Sequence, residues 1–553
     1  MDKDKALAVN FSQIIFAITM LLFSNPNYDN LLFISGDVTL VFLSGILLFT
    51  KIKVEDELFN TIIYAEAFAV GLLYYFAGTP IYVLVVYLAI VLLGIRFNFL
   101  TEALLVNFLI LTVFTVRVAK FGTDEMMLSY YAASLFLHGE NPYNPALMQN
   151  VYSVLHLNMF IFGTPLSTGG VVTSYDYPAL QMLLLVPSVL LHFNPNYITV
   201  AFYVIIPFIL YFKREDKLTF ITFLLFYLID INYRNYSAGG VTTMDWLIFA
   251  LLSLLFKDVR KKGIFYGLAL SVKQTPFALF PFYLVYLYKE GYSMIKFLAY
   301  SALTFLIVNG YFILLSPTYY IQGVLYPVTA PLVGISMSVS MYSIAGFFYI
   351  YPKFFTLALA VVMVAEVYLF WKHYDNFKDS WTFFPYFIFF VNYRALWNYF
   401  FSWPILGYSL PSSSRGIKVS KSALKVLAVP LLLLVGLATF FHFAYTPYCS
   451  SIGVEVLHIY EENGRVYCLL LNVTYCPKSP SLPSCIRPLV RIFPDANAIS
   501  AYGYIFYSNS TFLKAYHWEV IRLWSPHKDY YVPDSPFRIE VYYGNLVGIA
   551  CGN

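Results

Sequence analysis

The chain has 553 residues, of which 60% are hydrophobic and 12% charged, with a mean hydropathy of +0.69 and a formal net charge of +4. A soluble domain carries about 25% charged residues, so half that share leaves too little polar surface to cover a water-facing globule. The small positive balance carries no signal for nucleic acid, because its Lys and Arg are scattered in short loops between apolar runs.

Apolar runs lie near 7–24, 31–50, 58–77, 80–95 and 100–119. About 20 such residues cross the hydrocarbon core of a bilayer as a helix. No small-residue cleavage site follows the first run, so it reads as a span rather than a removable signal. Lys3, Lys5, the Lys51-Ile52-Lys53 loop and Arg96 fall on one side, which the positive-inside rule makes cytoplasmic. Asn25–Asn30 and Gly78-Thr79 then fall outside, and five crossings deliver Asp124 and Glu125 to the outer face.

From about 120 to 178 hydrophobicity weakens. Met126–Leu137 reads as an amphipathic helix on the membrane surface, stopped by Gly139-Glu140-Asn141-Pro142-Tyr143. A loop of this length rich in aromatics is expected to be ordered and functional. Later basic clusters at Lys213–Lys217, Lys257–Lys262, Lys289–Lys296, Lys372–Lys378 and Arg415–Lys425 all fall inside if one apolar run between 178 and 212 does not cross fully. The stretch 179–193 is then partly re-entrant, with two full crossings as the alternative. Gly263–Tyr288, broken at Lys273-Gln274-Thr275-Pro276, and Trp381–Leu410, broken near Asn392-Tyr393-Arg394, are each too short for two spans. Half-helices of that kind survive only where they line protein or a wet cavity, which puts Lys273 and Arg394 at outward tips.

A last run at about 423–443 returns the chain to the outside. The fold class expected is an all-α polytopic membrane protein of about 11–14 transmembrane helices over 1–445, followed by an extracytoplasmic β-sandwich over 446–553. Alternation in Val454, Val456 and His458 and the run Val466–Val473 supports strands. All five cysteines (Cys449, Cys468, Cys476, Cys485 and Cys551) lie in this last part, as suits an oxidising exterior and one or two disulfides. Sequons at Asn472 and Asn509 fit the same side.

An adjacent acid pair at an outer helix end, Asp124-Glu125, can supply a general base to a hydroxyl acceptor; the alternative is a pair of solvated loop acids. Thr123-Asp124-Glu125, Tyr130-Tyr131-Ala132-Ala133 and Gly139-Glu140-Asn141-Pro142-Tyr143 together resemble the first outer loop of GT-C superfamily glycosyltransferases, in the prokaryotic mannosyltransferase-like branch that uses polyprenyl-phosphate sugars. Tyr175-Asp176-Tyr177-Pro178, Ser271–Pro276 and Trp397-Asn398-Tyr399 are similar to that family in the same order, over roughly residues 115–410. The resemblance implies a GT-C-like fold, Asp124 as catalytic base, and Glu125 as orienting group. It implies Lys273 on the donor phosphate, where an ammonium stabilises developing charge; the alternative is a snorkelling lysine. Arg394 is a second phosphate candidate or a headgroup-paired arginine. Asn141, Tyr143, Tyr175, Asp176 and Tyr177 would bind substrate, Asp176 ahead of the tyrosines. His138 and His156 match no metal-ligand spacing, and a requirement for Mg²⁺ or Mn²⁺ stays open.

The activity expected is transfer of a sugar from a polyprenyl-phosphate-sugar donor to a hydroxyl on a glycolipid, glycan or protein acceptor, among membrane lipids at the outer face of the cell membrane. No Trp-Trp-Asp stretch occurs, Asp245-Trp246 being the nearest fragment, which argues against en bloc transfer to asparagine. A multi-pass transporter or flippase is the rival reading, kept alive by Glu66 and Glu366 inside apolar runs. A mere anchor for an adhesive domain would need one helix.

Overall fold

A computed structural model describes residues 1–23, 31–213, 216–345, 347–348, 350–410, 421–449, 451–480, 482–494, 503–508, 512–533, 535–544 and 546–552. The Asn25–Asn30 loop, most of the Arg415–Lys425 cluster and the Asn509 sequon lie outside them, as does part of Lys213–Lys217.

Helices dominate up to residue 449. The first five apolar runs form helices Lys3–Phe23, Leu31–Leu47, Asp56–Phe76, Ile81–Arg96 and Leu100–Thr115. Among the described residues, five helices are long and apolar enough to cross a membrane, or six if one bent pair counts as a single span; seven further apolar helices have only 10–17 residues. The bent pair, Asn232–Gly239 and Thr243–Leu255, turns by 115°. The two interrupted segments break where expected. Val259–Val272 gives way at Lys273 to a 3₁₀ turn Thr275–Leu279 and then Phe280–Lys289, since Pro276 cannot continue a helix hydrogen-bond ladder. Pro385–Phe390 stops before Asn392, and short turns Trp397–Tyr399 and Ser402–Gly407 follow.

Polar contacts gather one end of the bundle. The backbone N–H of Ile52 donates to Asp4 O, Lys3 pairs with Asp56 and Lys51 with Asp2, the Met1 amine donates to Leu410 O, and Lys217 pairs with Glu102. Glu102, near the start of the Leu100–Thr115 helix, is held at this end, so the segment after Thr115 emerges at the other.

There the Asp124–Leu137 helix departs from expectation. It is not an amphipathic helix lying on a surface: Glu125–Ser129, Tyr131–Ala133 and Leu135 are all buried. Its apolar residues cover too much of the circumference for one wet face. They pack with Tyr143, Tyr152, Tyr175 and Met182 into a core of their own, distinct from the large core of the remaining helices.

The last helix, Lys421–Cys449, leads into ten strands among the described residues. These are β1 (Ile452–Glu462), β2 (Arg465–Tyr475), β3 (Cys485–Ile486), β4 (Leu489–Pro494), β5 (Tyr504–Phe506), β6 (Leu513–Lys514), β7 (His517–Trp524), β8 (Val532–Pro533), β9 (Phe537–Tyr543) and β10 (Leu546–Gly552). One antiparallel sheet has the order β1-β2-β7, with β8 on the end of β2; a second has the order β10-β9-β4-β5; β3 and β6 pair separately. Alternating Val, Ile, Leu and Phe side chains from both larger sheets fill one core. The disulfide expectation is corrected: Cys468, Cys476, Cys485 and Cys551 are free among the described residues. Cys468, Cys485 and Cys551 sit on β2, β3 and β10, in three different sheets.

The β-rich region is seated on the helical part. Arg491 Nη1 donates to Gly334 O at 2.9 Å, Gly544 N–H donates to Ser167 O at 2.7 Å, and Val333 is buried with Leu489, Tyr542 and Val547.

Candidate functional site

Thr123 caps the Asp124–Leu137 helix, its hydroxyl accepting from Met126 N–H and donating to Gly240 O at 3.1 Å. The cap fixes Asp124 and Glu125 in the first turn, where the helix dipole favours negative charge. Gly122 lies so close to Gly239 that a methyl group there would overlap its backbone. The acid pair is thereby set against the 115° bend at residues 240–242.

The two acids have different surroundings. Glu125 is buried, and its Oε1 accepts from the N–H and hydroxyl of Thr242 and from Lys273 Nζ at 2.6 Å. Asp124 is half-buried, and its Oδ2 accepts from Thr164 N–H at 3.0 Å. Lys273, at the helix break, also lies 5.4 Å from the centre of the Tyr177 ring.

Asp176 completes the cluster. Gln274 Nε2 donates to its carbonyl at 2.6 Å and to Val324 O at 2.8 Å, so the residue after Lys273 ties this turn in place. Asp176 Oδ1 is enclosed without a hydrogen-bond partner. Burial, then the neighbouring charges of Asp124 and Glu125, hold its carboxyl well above the ordinary carboxylate range, with Lys273 opposing them. Asp245, buried and accepting from Gln181 Nε2 at 3.2 Å, lies within electrostatic reach of Glu125 and Lys273.

The structure thus brings Asp124, Glu125, Lys273, Asp176 and Tyr177 together. Asn398 lies at the edge, its amide 3.4 Å from the Thr243 hydroxyl. Arg394 Nη1 donates to Val333 O at 2.5 Å, and Val333 N–H donates to Pro165 O at 3.1 Å, one residue from the Thr164 that holds Asp124. Asn141 caps its own turn, accepting from Tyr143 N–H. Tyr143 and Tyr175 brace the loop, their hydroxyls donating to Tyr177 O and Pro178 O. Both line a separate cavity of about 550 Å³ against the Pro317–Thr329 helix, with Ser174, Gln322 and Tyr326. His138 bonds Ser134 O in its own helix. Among the described residues no group of three or more His, Cys, Asp and Glu is arranged to hold a metal.

Sequence reasoning missed Thr242, Thr164 and Gln274, which hold the charged side chains through long-range contacts. The Gly239-Gly240 pair was the available signal for a tight approach, since Gly240 has φ +82° and abuts Met126.

No protein-family model, no curated protein and no solved structure matches this chain.

Proposed function

We propose that the chain is a polytopic membrane glycosyltransferase of GT-C type, in which the β-rich region is an extracytoplasmic sandwich and Asp124 works at the outer face. The observation that carries the reading is the buried Lys273–Glu125 pair set beside a half-buried Asp124 and an Asp176 whose Oδ1 is enclosed without a partner. Three carboxyl groups gathered around one ammonium are costly to assemble, and a buried carboxyl shifted as Asp176 is marks functional sites.

In this reading Lys273 uses one N–H on Glu125 and offers the others to the phosphate of a polyprenyl-phosphate-sugar donor. Glu125 and Thr242 fix the lysine, so Glu125 serves as a positioning group. Asp124 accepts the proton of the acceptor hydroxyl as that oxygen attacks the anomeric carbon; the bond from that carbon to the phosphate oxygen breaks, and the polyprenyl phosphate leaves with the electron pair. Asp176 offers its enclosed, unpartnered Oδ1 to a sugar hydroxyl. The test is transfer of radiolabelled sugar from polyprenyl-phosphate donors to extracted glycolipids by membranes carrying the wild type or Asp124→Asn. Transfer lost in the variant supports the reading; transfer equal in both overturns it.

A second reading, a transporter, is favoured by Asp37, which is fully buried in the Leu31–Leu47 helix with neither carboxyl oxygen hydrogen-bonded, and by buried Glu66 and Glu366. Buried acids inside apolar helices mark ion pathways elsewhere.

A further inference from the structure

The sheet β1-β2-β7 buries one face and leaves the other open. Along β7 only Ile521 and Leu523 are buried, while Trp518, Val520, Arg522 and Trp524 alternate on the opposite side. Trp518 is 67% exposed. Strand register carries this face across the sheet: Trp524 stands opposite Cys468, which stands opposite Tyr460, and Val520 opposite Asn472, which stands opposite Glu455. The Arg522 guanidinium lies 5.1 Å from the Tyr460 ring and 5.8 Å from the Trp524 ring, orienting both. In the middle, Asn472 Nδ2 donates to Glu455 Oε2 at 3.2 Å, and its Oδ1 is enclosed without a partner.

Indole and phenol rings share the face with a guanidinium, an amide, a carboxylate and the aliphatic Val520 and Leu470. Rings offer flat apolar contact to the C–H faces of pyranoses, and the polar groups between them suit hydroxyls, which both donate and accept. Trp518 and Trp524, six residues apart in one strand, are separated by about 20 Å, the length of a short linear oligosaccharide.

The sheet also touches the segment that holds Asp124. Trp524 exchanges both backbone hydrogen bonds with Tyr507, whose ring centre lies 3.9 Å from that of Phe160. Phe160 belongs to the Met159–Phe162 turn, and Thr164, two residues beyond it, is the residue whose N–H holds Asp124.

We propose that the open face of β1-β2-β7 is a carbohydrate-binding platform that takes the glycan portion of the acceptor and leads it toward Asp124. The platform rests on the glycosyltransferase reading only for what it feeds; binding itself stands apart. The test is isothermal titration of the full chain in detergent micelles with linear mannan- and glucan-derived hexasaccharides, alongside the transfer assay. At least one hexasaccharide binds the wild type. Trp518→Ala and Trp524→Ala each weaken binding about tenfold, the scale of one aromatic contact, and Trp518→Phe restores most of it. Asp124→Asn binds like the wild type while transferring about a hundredfold less or lower still. Saccharide binding that depends on Trp518, in a protein that transfers nothing, upholds the platform and sinks the transferase reading. The platform is overturned if neither hexasaccharide binds, or if both alanine variants bind like the wild type. It is equally overturned if Trp518 governs sedimentation with phosphatidylglycerol vesicles but no saccharide binding, or if mass spectrometry finds a glycan attached to Asn472 covering the face.

Discussion

Lys273 Nζ and Glu125 Oε1, 148 residues apart in the chain, meet at 2.6 Å with both side chains about nine-tenths buried. A buried pair is costly to desolvate and more costly to break, because the survivor is left as an uncompensated charge. Lys273→Met or Glu125→Gln alone should therefore lower stability by about 3–5 kcal/mol, read as the unfolding midpoint in detergent. The double variant should be more stable than the Lys273→Met single, yet should still transfer no sugar. A double variant as unstable as the worse single would show that the two side chains are not energetically paired.

Asp124→Asn keeps an oxygen to accept from Thr164 N–H, so the loop should hold and the unfolding midpoint should stay near that of the wild type. Transfer should fall by about 10²–10⁴-fold, the usual contribution of a positioned base. Thr164→Pro is the complementary variant. It deletes the N–H that orients Asp124 and should lower turnover while leaving the carboxylate in place.

Gly122→Ala tests the packing that aims the acid pair. The added methyl meets the backbone of Gly239, which cannot swing aside as a flexible side chain would. The Asp124–Leu137 helix must then shift against the bend, and Glu125 loses its alignment with Thr242. Activity should drop at least tenfold, with a stability loss of about 1–3 kcal/mol. Gly139→Ala, at a turn where nothing crowds the position but φ is +76°, should cost stability and spare turnover.

That glycine contact illustrates what the sequence could and could not show. The helices up to Thr115 and the breaks at Lys273 and Asn392 were legible, because run length, apolar density and proline act locally. Asp124, Glu125, Lys273 and Asp176 were also legible as candidates, being charged residues at the ends of apolar runs. Their partners were not. Thr242 and Thr164 are ordinary residues that matter only through contacts across 117 and 40 positions. Arg394 looked equivalent to Lys273, a cation at a helix break, but its Nη1 donates to a backbone carbonyl, that of Val333. The Asp124–Leu137 helix was misread because an apolar-rich segment with a few polar residues fits an interfacial helix and a buried one equally well.

The raised Asp176 carboxyl gives a pH dependence with a definite sign. An acid whose folded pKa lies above its unfolded value of about 3.9 favours the folded state fully below that value. The contribution is lost as pH rises toward the folded pKa, because ionisation is easier once the chain unfolds. Each pH unit in that window removes about 1.4 kcal/mol. Wild-type protein should lose stability on raising pH upward from the ordinary carboxylate range, and Asp176→Asn should flatten that profile. A profile unchanged in the variant would assign the dependence to another group.

Arg491 is the last test, at the junction between the two parts. It is almost completely buried between the Phe493 and Tyr542 rings, at 4.7 and 4.4 Å, pairs with Glu540 at 3.3 Å and donates to Gly334 O. Glu540 is shared with Arg538 at 3.0 Å, so one buried carboxylate serves two guanidinium groups. Removing Glu540 leaves two cations enclosed, whereas removing Arg491 leaves a balanced Arg538–Glu540 pair. Glu540→Ala should accordingly cost the β-rich region more stability than Arg491→Ala, by about 1–3 kcal/mol. Arg491→Ala should act mainly on the seat: the segment around Gly334 loses its donor and becomes more open to proteolysis, while strand protection in hydrogen exchange persists. Protection lost equally throughout β4 and β9 would mean instead that Arg491 holds the sheet and not the junction.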